Sequence, residues 1–149
     1  LLEMLRPFVY RRYLDFSAIE AMRTMKQLIQ QEVRRKGIAS NIKLGSGGIR
    51  EVEFIAQAFQ LINGGRDLSL QQRPLLKVLD TLLAQGYLPA TAVAEMQQGY
   101  EFLRYTEHAL QALADRQTQM LPDGAQMRER VAFVMGFAGW PSCHSQLMH

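Results

Sequence analysis

Residues 41–62 read NIKLGSGGIREVEFIAQAFQLI, and the second half of this stretch decides the fold class. Its apolar residues recur every three or four positions, at Ile49, Val52, Ile55, Ala56, Phe59 and Ile62. Its polar residues take the opposite face, at Arg50, Glu53, Gln57 and Gln60, with Glu51 at the margin. This period predicts an amphipathic helix that starts near Gly48 and ends before residues 63–65, which read Asn-Gly-Gly.

Residues 41–48, called the glycine segment below, lead into this helix with a lysine and a cluster of glycines. Glycine lets the backbone approach a ligand closely, and the free N–H groups of a helix start can hold an anion. Arg50, Glu51 and Glu53 follow in the first turns. The two carboxylates would repel a bare phosphate but could serve a metal, a ribose or an ammonium group. The sequence therefore predicts a candidate site of mixed charge.

The glycine pattern itself fails the two common nucleotide fingerprints. No Gly-Lys-Ser/Thr ends it, Gly45-x-Gly47-x-x-Arg50 lacks a third glycine, and no strand precedes it. By spacing alone, an irregular loop before a helix is the simpler interpretation. In that interpretation Glu51 lies near the positive end of the helix dipole and Arg50 pairs with Glu53.

The same periodicity predicts four more helices, over residues 18–36, from about Ser69 to Gly86, 91–118 and 127–137. A capping box at residues 17–20 opens the first of these, and residues 1–5 also look helical. No strand pattern competes, and short connections make consecutive helices neighbours. We predict an all-α fold, an antiparallel helical bundle of about five to six helices, in a single domain over residues 1–149.

The long helix predicted over residues 91–118 has an apolar face and a polar side, and the polar side carries Arg104, Glu107, His108 and Gln111. A single surface histidine with local charge partners is typical of a structural position rather than of acid–base catalysis. Cys143 likewise has no assigned base or acid partner. No catalytic constellation is predicted within this chain.

Composition narrows the functional class further. The chain has 149 residues, 48% of them hydrophobic, with a formal net charge of +3, too small for a general polyanion binder. Residues 1–53 carry ten basic and six acidic residues, so the basic excess surrounds the glycine segment. The single cysteine excludes an internal disulfide and favours a reducing cytoplasm. We predict no membrane segment, no metal site, and a piece of a longer polypeptide, since a helical start follows Leu1 rather than Met.

Residues 42–71, IKLGSGGIREVEFIAQAFQLINGGRDLSLQ, resemble the bifunctional glutamine synthetase adenylyltransferase/adenylyl-removing enzymes of bacteria. Three other stretches also resemble this family, FVYRRYLDFS at 8–17, EFLRYTEHALQ at 101–111 and DRQTQMLP at 115–122. The resemblance covers nearly the whole chain and points to the helical region after the adenylyl-removing catalytic domain. The related PII uridylyltransferases carry a similar lysine-then-glycine segment, but the EVEFIAQAFQLI continuation favours the adenylyl enzymes.

The resemblance implies a parent enzyme with two nucleotidyltransferase halves. They add AMP to a tyrosine of glutamine synthetase or remove it by phosphorolysis, with magnesium and ATP or ADP, under control of PII proteins and glutamine. The implied partners are glutamine synthetase, PII and the adjacent nucleotidyltransferase domains. Nucleic acid is not an expected partner, because the basic residues lack an aromatic platform.

The family's catalytic Gly-Ser followed by two spaced aspartates is absent from these residues, so the chain alone is expected to be inactive. Leu68 also replaces an expected proline, which affects only a turn. The resemblance implies a helical domain beside the catalytic domain, with the glycine segment projecting toward its cleft. The candidate residues that face nucleotide there are Lys43, Gly47, Gly48, Arg50, Glu51 and Glu53.

Two alternatives remain open from the sequence. The chain could be a non-catalytic interaction or signal-relay module that binds PII or glutamine synthetase, or the equivalent domain of a PII uridylyltransferase.

Overall fold

The computed structural model describes residues 2–10, 16–35 and 40–148 of the chain. Across these ranges, regular structure is helical apart from one isolated β-bridge, which confirms the predicted all-α fold. The helices are α1 (Leu2–Val9), α2 (Phe16–Arg35), α3 (Ile49–Asn63), α4 (Leu75–Ala84), α5 (Ala90–Ala114), α6 (Ala125–Val134) and α7 (Trp140–Leu147), with a 3-10 turn at Leu68–Leu70. The described residues thus form seven α-helices, more than the five to six predicted.

The predicted start of the third helix near Ser69 is wrong. The Asp67 carboxylate accepts a hydrogen bond from the Ser69 N–H at 3.0 Å, and this cap closes a 3-10 turn rather than an α-helix. Helix α4 begins only at Leu75, after Pro74. A proline disfavours helical backbone at the residue before it, so Arg73 cannot join the two elements into one helix.

The ends of α5 and α6 also differ from the predicted boundaries. Asp115 has a φ of 48°, a left-handed conformation that ends α5 before the predicted Thr118. Helix α6 ends at Val134, ahead of Gly136 with a φ of 79°. Helix α7 was not predicted, because Gly139-Trp140-Pro141 is typical of a helix stop. Pro141 lies in the first turn of that helix, where its missing N–H costs nothing.

Two clusters of buried apolar side chains form the core. The first contains Val52, Ala56, Leu70, Val78, Leu79, Leu82 and Val93, and the second contains Ile42, Ile49, Leu103, Leu110 and Val131. Helix α3 contributes to both clusters, and the half-buried Tyr100 packs against both. Ile42, in the glycine segment, is 6% exposed and belongs to the second cluster. The glycine segment is therefore anchored in the core through Ile42, while Leu44, Ser46 and Gly47 are exposed.

The predicted helix faces are correct in α3 except at Ile62, and in α5 except at Glu107. Ile49, Val52 and Ala56 are buried as predicted, although Ile62 at the end of the apolar face is exposed. In α5, Glu107 was placed on the polar side, but it is only 2% exposed. It lies between Leu103 and Leu110 on the buried face, four residues after one and three before the other.

Cys143 is fully buried in α7, and burial raises the pKa of its thiol. A buried thiol with a raised pKa is a poor nucleophile at neutral pH. Among the residues that the structure describes, no helix combines the length and the apolar character needed to span a bilayer.

Candidate functional site

The glycine segment is a compact turn held by its first residue. The side-chain oxygen Oδ1 of buried Asn41 accepts hydrogen bonds from the N–H groups of Lys43 and Leu44, each at 2.9 Å. The backbone oxygen of Asn41 accepts a third bond from the Gly45 N–H at 2.7 Å. An asparagine side chain that replaces backbone partners in this way fixes a tight turn.

The free N–H groups at the start of α3 are already hydrogen-bonded to oxygens of the protein itself. The N–H of Ile49 donates to Ile42 O at 3.1 Å, and that of Arg50 donates to Lys43 O at 3.0 Å. The N–H of Gly47 donates to the Glu51 carboxylate at 2.9 Å. These are the groups that the sequence suggested for an anion, so an anion here would have to displace protein oxygens.

Gly47 and Gly48 are required for different reasons. Gly47 has a φ of 72°, a left-handed conformation that side chains other than glycine rarely adopt. Gly48 has an ordinary φ of −73°, but a Cβ there would lie 2.8 to 2.9 Å from the backbone oxygens of Ile42, Lys43 and Gly45. The close approach that this glycine permits is to the protein's own backbone.

The connection between α5 and α6 also forms hydrogen bonds with the start of the glycine segment. Asn41 and Met120 form the isolated antiparallel bridge. The N–H of Ile42 donates to Gln119 O, and the N–H of Leu121 donates to Ser40 O, both at 3.0 Å. The connection between α5 and α6 thereby holds the segment's entry. One bridging pair leaves no periodic pattern, so it cannot be predicted from the sequence.

The charged candidates split into two groups. The Lys43 ammonium lies 3.4 Å from the Glu107 carboxylate, which also binds the Arg104 guanidinium. The other group lies at the start of α3. There Arg50 pairs with Glu53 at 3.0 Å, which confirms the predicted pair, and Glu51 lies 3.4 Å from the Lys26 ammonium of α2.

Glu107 and Lys26 were not predicted as members of the site. Lys26 belongs to a different helix and no local pattern points to it. Glu107 did carry a signal, because its spacing from Leu103 and Leu110 places it on the apolar face of α5. A carboxylate on a buried face needs cationic partners, and that rule would have singled it out.

A cavity of about 420 Å³ lies against the glycine segment. Its apolar wall includes Ile42, Leu44, Phe54, Leu103, Leu121, Leu147 and Met148. Lys26, Arg50 and Glu51 supply its charged lining. The volume falls within the range of small-molecule sites, and an apolar wall with a few charged groups is typical of them.

Metal ligands are not clustered in this part of the molecule. Across residues 2–10, 16–35 and 40–148, no group of three or more His, Cys, Asp or Glu residues is placed to hold a metal ion. The carboxylates of the site are instead bound to lysine, arginine and backbone N–H groups.

Comparison with known proteins agrees with the resemblance found in the sequence. The bifunctional glutamine synthetase adenylyltransferase/adenylyl-removing enzyme of Pseudomonas putida is 80% identical over 147 residues, covering 99% of this chain and 15% of that protein. The enzyme of the same description from Pseudomonas aeruginosa is 78% identical over 149 residues, covering 100% of this chain and 15% of that protein. That from Hahella chejuensis is 56% identical over 147 residues, with coverages of 99% and 15%.

The chain thus spans about 15% of the length of these curated relatives. The family model described as GlnD PII-uridylyltransferase matches residues 23–149, which include all of α3 to α7 and the glycine segment. Because this match takes in most of the sequence, the chain belongs to the GlnD PII-uridylyltransferase family.

Proposed function

We propose that this chain is a helical accessory domain of an enzyme that adenylylates and deadenylylates glutamine synthetase, and that it supports the adenylyl-removing active site. The observation that carries the proposal is 80% identity to the Pseudomonas putida enzyme over 99% of the chain. In this proposal the chain is one domain of a cytoplasmic nucleotidyltransferase polypeptide. Its partners are the adjacent nucleotidyltransferase domains, glutamine synthetase and PII.

The glycine segment and the first turns of α3 form the accessory wall of that active site. The Arg50 side chain is 57% exposed and pairs with Glu53, and Arg50 and Glu51 line the cavity together with residues of the glycine segment. Gly47 and Gly48 give the wall its shape, and Lys43 holds it to α5. These residues orient the nucleotide and neighbouring catalytic groups by contact and charge. A rigid wall of this kind lowers the entropy lost when reactants are aligned.

Magnesium and ATP or ADP would be bound mainly outside this chain. The described residues offer no cluster of three metal ligands, and the carboxylates of Glu51 and Glu53 already have cationic or N–H partners. The chain alone is accordingly proposed to be inactive, and the activity to require the neighbouring catalytic domain.

The proposal is tested with Arg50→Ala and Glu51→Gln in the full-length polypeptide. Because Arg50 is exposed and its ion pair with Glu53 lies on the helix surface, its loss should lower the unfolding free energy by less than about 1 kcal/mol. Deadenylylation of glutamine synthetase should fall about 10- to 100-fold, since a misaligned active site loses rates of this order.

Arg73→Ala is the matched control, because Arg73 is an exposed arginine in the turn before α4. The measurements are turnover and thermal unfolding of each variant. Turnover equal to that of the unaltered enzyme in both Arg50→Ala and Glu51→Gln would contradict the proposed role of the wall.

A second candidate function is a protein-interaction module for PII or glutamine synthetase. It is favoured by an exposed apolar surface on α5 and α6, where Phe133 is 83% exposed beside Val134, and the Tyr105 hydroxyl approaches Val134 O at 3.4 Å. An exposed phenylalanine in such a group is typical of a contact site.

Phe133→Ser separates the two candidates. Under the second function it weakens binding of purified glutamine synthetase or PII by about tenfold or more, as removal of an aromatic anchor does. Binding is measured by titration calorimetry, with Leu68→Ser as the control because Leu68 is also exposed, at 73%. Unchanged binding of both proteins would rule out this surface as the docking site.

A further inference from the structure

Glu107 is a buried carboxylate that the proposed wall does not itself use. Its side chain is 3% exposed, and it forms ion pairs with two cations that are distant from each other in the sequence. Arg104 lies one turn earlier on α5, whereas Lys43 lies in the glycine segment, 64 residues away. The apolar side chains of Leu103 and Leu110 flank it on the same helix face.

Burial of a carboxylate is unfavourable unless cations and hydrogen bonds compensate for its lost hydration. Arg104 alone would supply one charge to neutralise Glu107. The second cation is therefore not needed for charge balance, and its contact has another consequence. It ties the glycine segment to α5 through a side chain. The backbone bonds of Ile42 and Leu121 join the start of the segment to the loop after α5.

The contacts continue from this pair to the proposed wall. The Lys43 ammonium binds Glu107, and the backbone oxygen of the same lysine accepts the N–H of Arg50 at 3.0 Å. Glu107, Lys43 and Arg50 thus form a continuous chain of contacts from α5 to the start of α3. A shift of Lys43 would move the carbonyl group on which Arg50 depends.

We infer that Glu107 is a positioning residue that fixes Lys43 and, through it, the glycine segment and Arg50. Its importance for turnover rests on the proposed function, because it acts only through the wall. Lys43 is then an anchor bound to the protein's own carboxylate rather than a free cation for phosphate. Glu107 contacts no reacting group and has no catalytic role of its own.

Two variants of the full-length polypeptide test this inference. Glu107→Gln removes the anchoring charge, and Lys43→Met removes only the link, because Glu107 keeps Arg104. In both, amide hydrogen exchange in residues 41–51 should rise about tenfold, as for a segment that opens locally, while exchange in α4 stays unchanged. The value of kcat should fall about tenfold with KM within twofold, since geometry rather than substrate binding is lost.

Glu101→Gln is the matched control, because it makes the same substitution at an exposed position of α5. The double variant Lys43→Met/Glu107→Gln should exchange no faster than either single variant, because both remove the same bond. Unchanged exchange in residues 41–51, or an equal rise in α4, would overturn the inference. A third outcome separates this inference from the proposed function. If exchange in the segment rises but turnover is unchanged in these variants and in Arg50→Ala, Glu107 does anchor Lys43, and the proposed function is refuted.

Discussion

Alanine at position 48 is expected to lower the unfolding free energy of the chain by about 3 kcal/mol, at the upper end of overpacking effects. The added Cβ would lie under 3.0 Å from three backbone oxygens, those of Ile42, Lys43 and Gly45. Backbone oxygens cannot rotate away as a flexible side chain can. The turn would have to open, and the hydrogen bonds from Ile49 and Arg50 to the segment would lengthen.

Urea unfolding of Gly48→Ala measures this effect, with Gly99→Ala as the control. Gly99 lies within α5 and a Cβ there would meet nothing within 4 Å, so alanine should stabilise that helix by about 0.5 to 1 kcal/mol. Opposite signs for the two substitutions are the expected result. A loss at Gly48 no larger than about 0.5 kcal/mol, the usual range for an unconstrained surface position, would show that the turn relaxes easily.

Truncation of Leu79 to alanine should strongly destabilise the first core cluster. Leu79 is fully buried in α4 among Val78, Leu82 and residues of α3 and α5. The cost is about 2 to 5 kcal/mol, from lost burial plus the cavity that remains. For a chain of this length, the midpoint of thermal unfolding should fall by roughly 10 °C, at about 2 to 4 °C per kcal/mol.

Leu83→Ala provides the comparison on the same helix, because Leu83 is 41% exposed. Its cost should stay below about 1 kcal/mol, since a partly exposed side chain loses little burial. Calorimetry of the two variants checks the difference. Equal losses would mean that α4 presents a different face to the core.

The helices that were predicted well are those whose signals are local. The apolar face of α3 repeats with the helical period, and the Arg50–Glu53 pair is set by a spacing of one turn. Both follow from residues that are neighbours in sequence. Helix α7 was missed because a proline inside its first turn resembles a helix stop, and the two positions differ only in context.

The glycine segment was predicted as a loop before a helix, but its hydrogen bonds and ion pairs were not. Its location follows from a glycine cluster before a helix, which is visible in residues 41–50. The partners of Lys43 and Asn41 lie in α5 and in the loop after it. Contacts between residues so distant in sequence depend on how helices pack, and a single sequence does not encode that packing as a readable pattern.

The structure also explains why the glycine segment suggested an anion site. A glycine cluster permits close backbone approach regardless of what approaches. Here the approaching groups are the oxygens of Ile42 and Lys43, which accept the N–H groups of Ile49 and Arg50 at the helix start. The same composition that can hold a ligand thus closes the loop on itself.

The bridge between Asn41 and Met120 has a consequence for the order of folding. Its partners are 79 positions apart, from 120 − 41. A contact that closes so long a loop is entropically costly until the helices between its ends have packed. During synthesis, the Ile42 N–H cannot find Gln119 O until α5 has been completed. We therefore expect α3, α4 and α5 to pack first. The glycine segment, and with it the candidate site, would reach its final geometry only after these helices have packed.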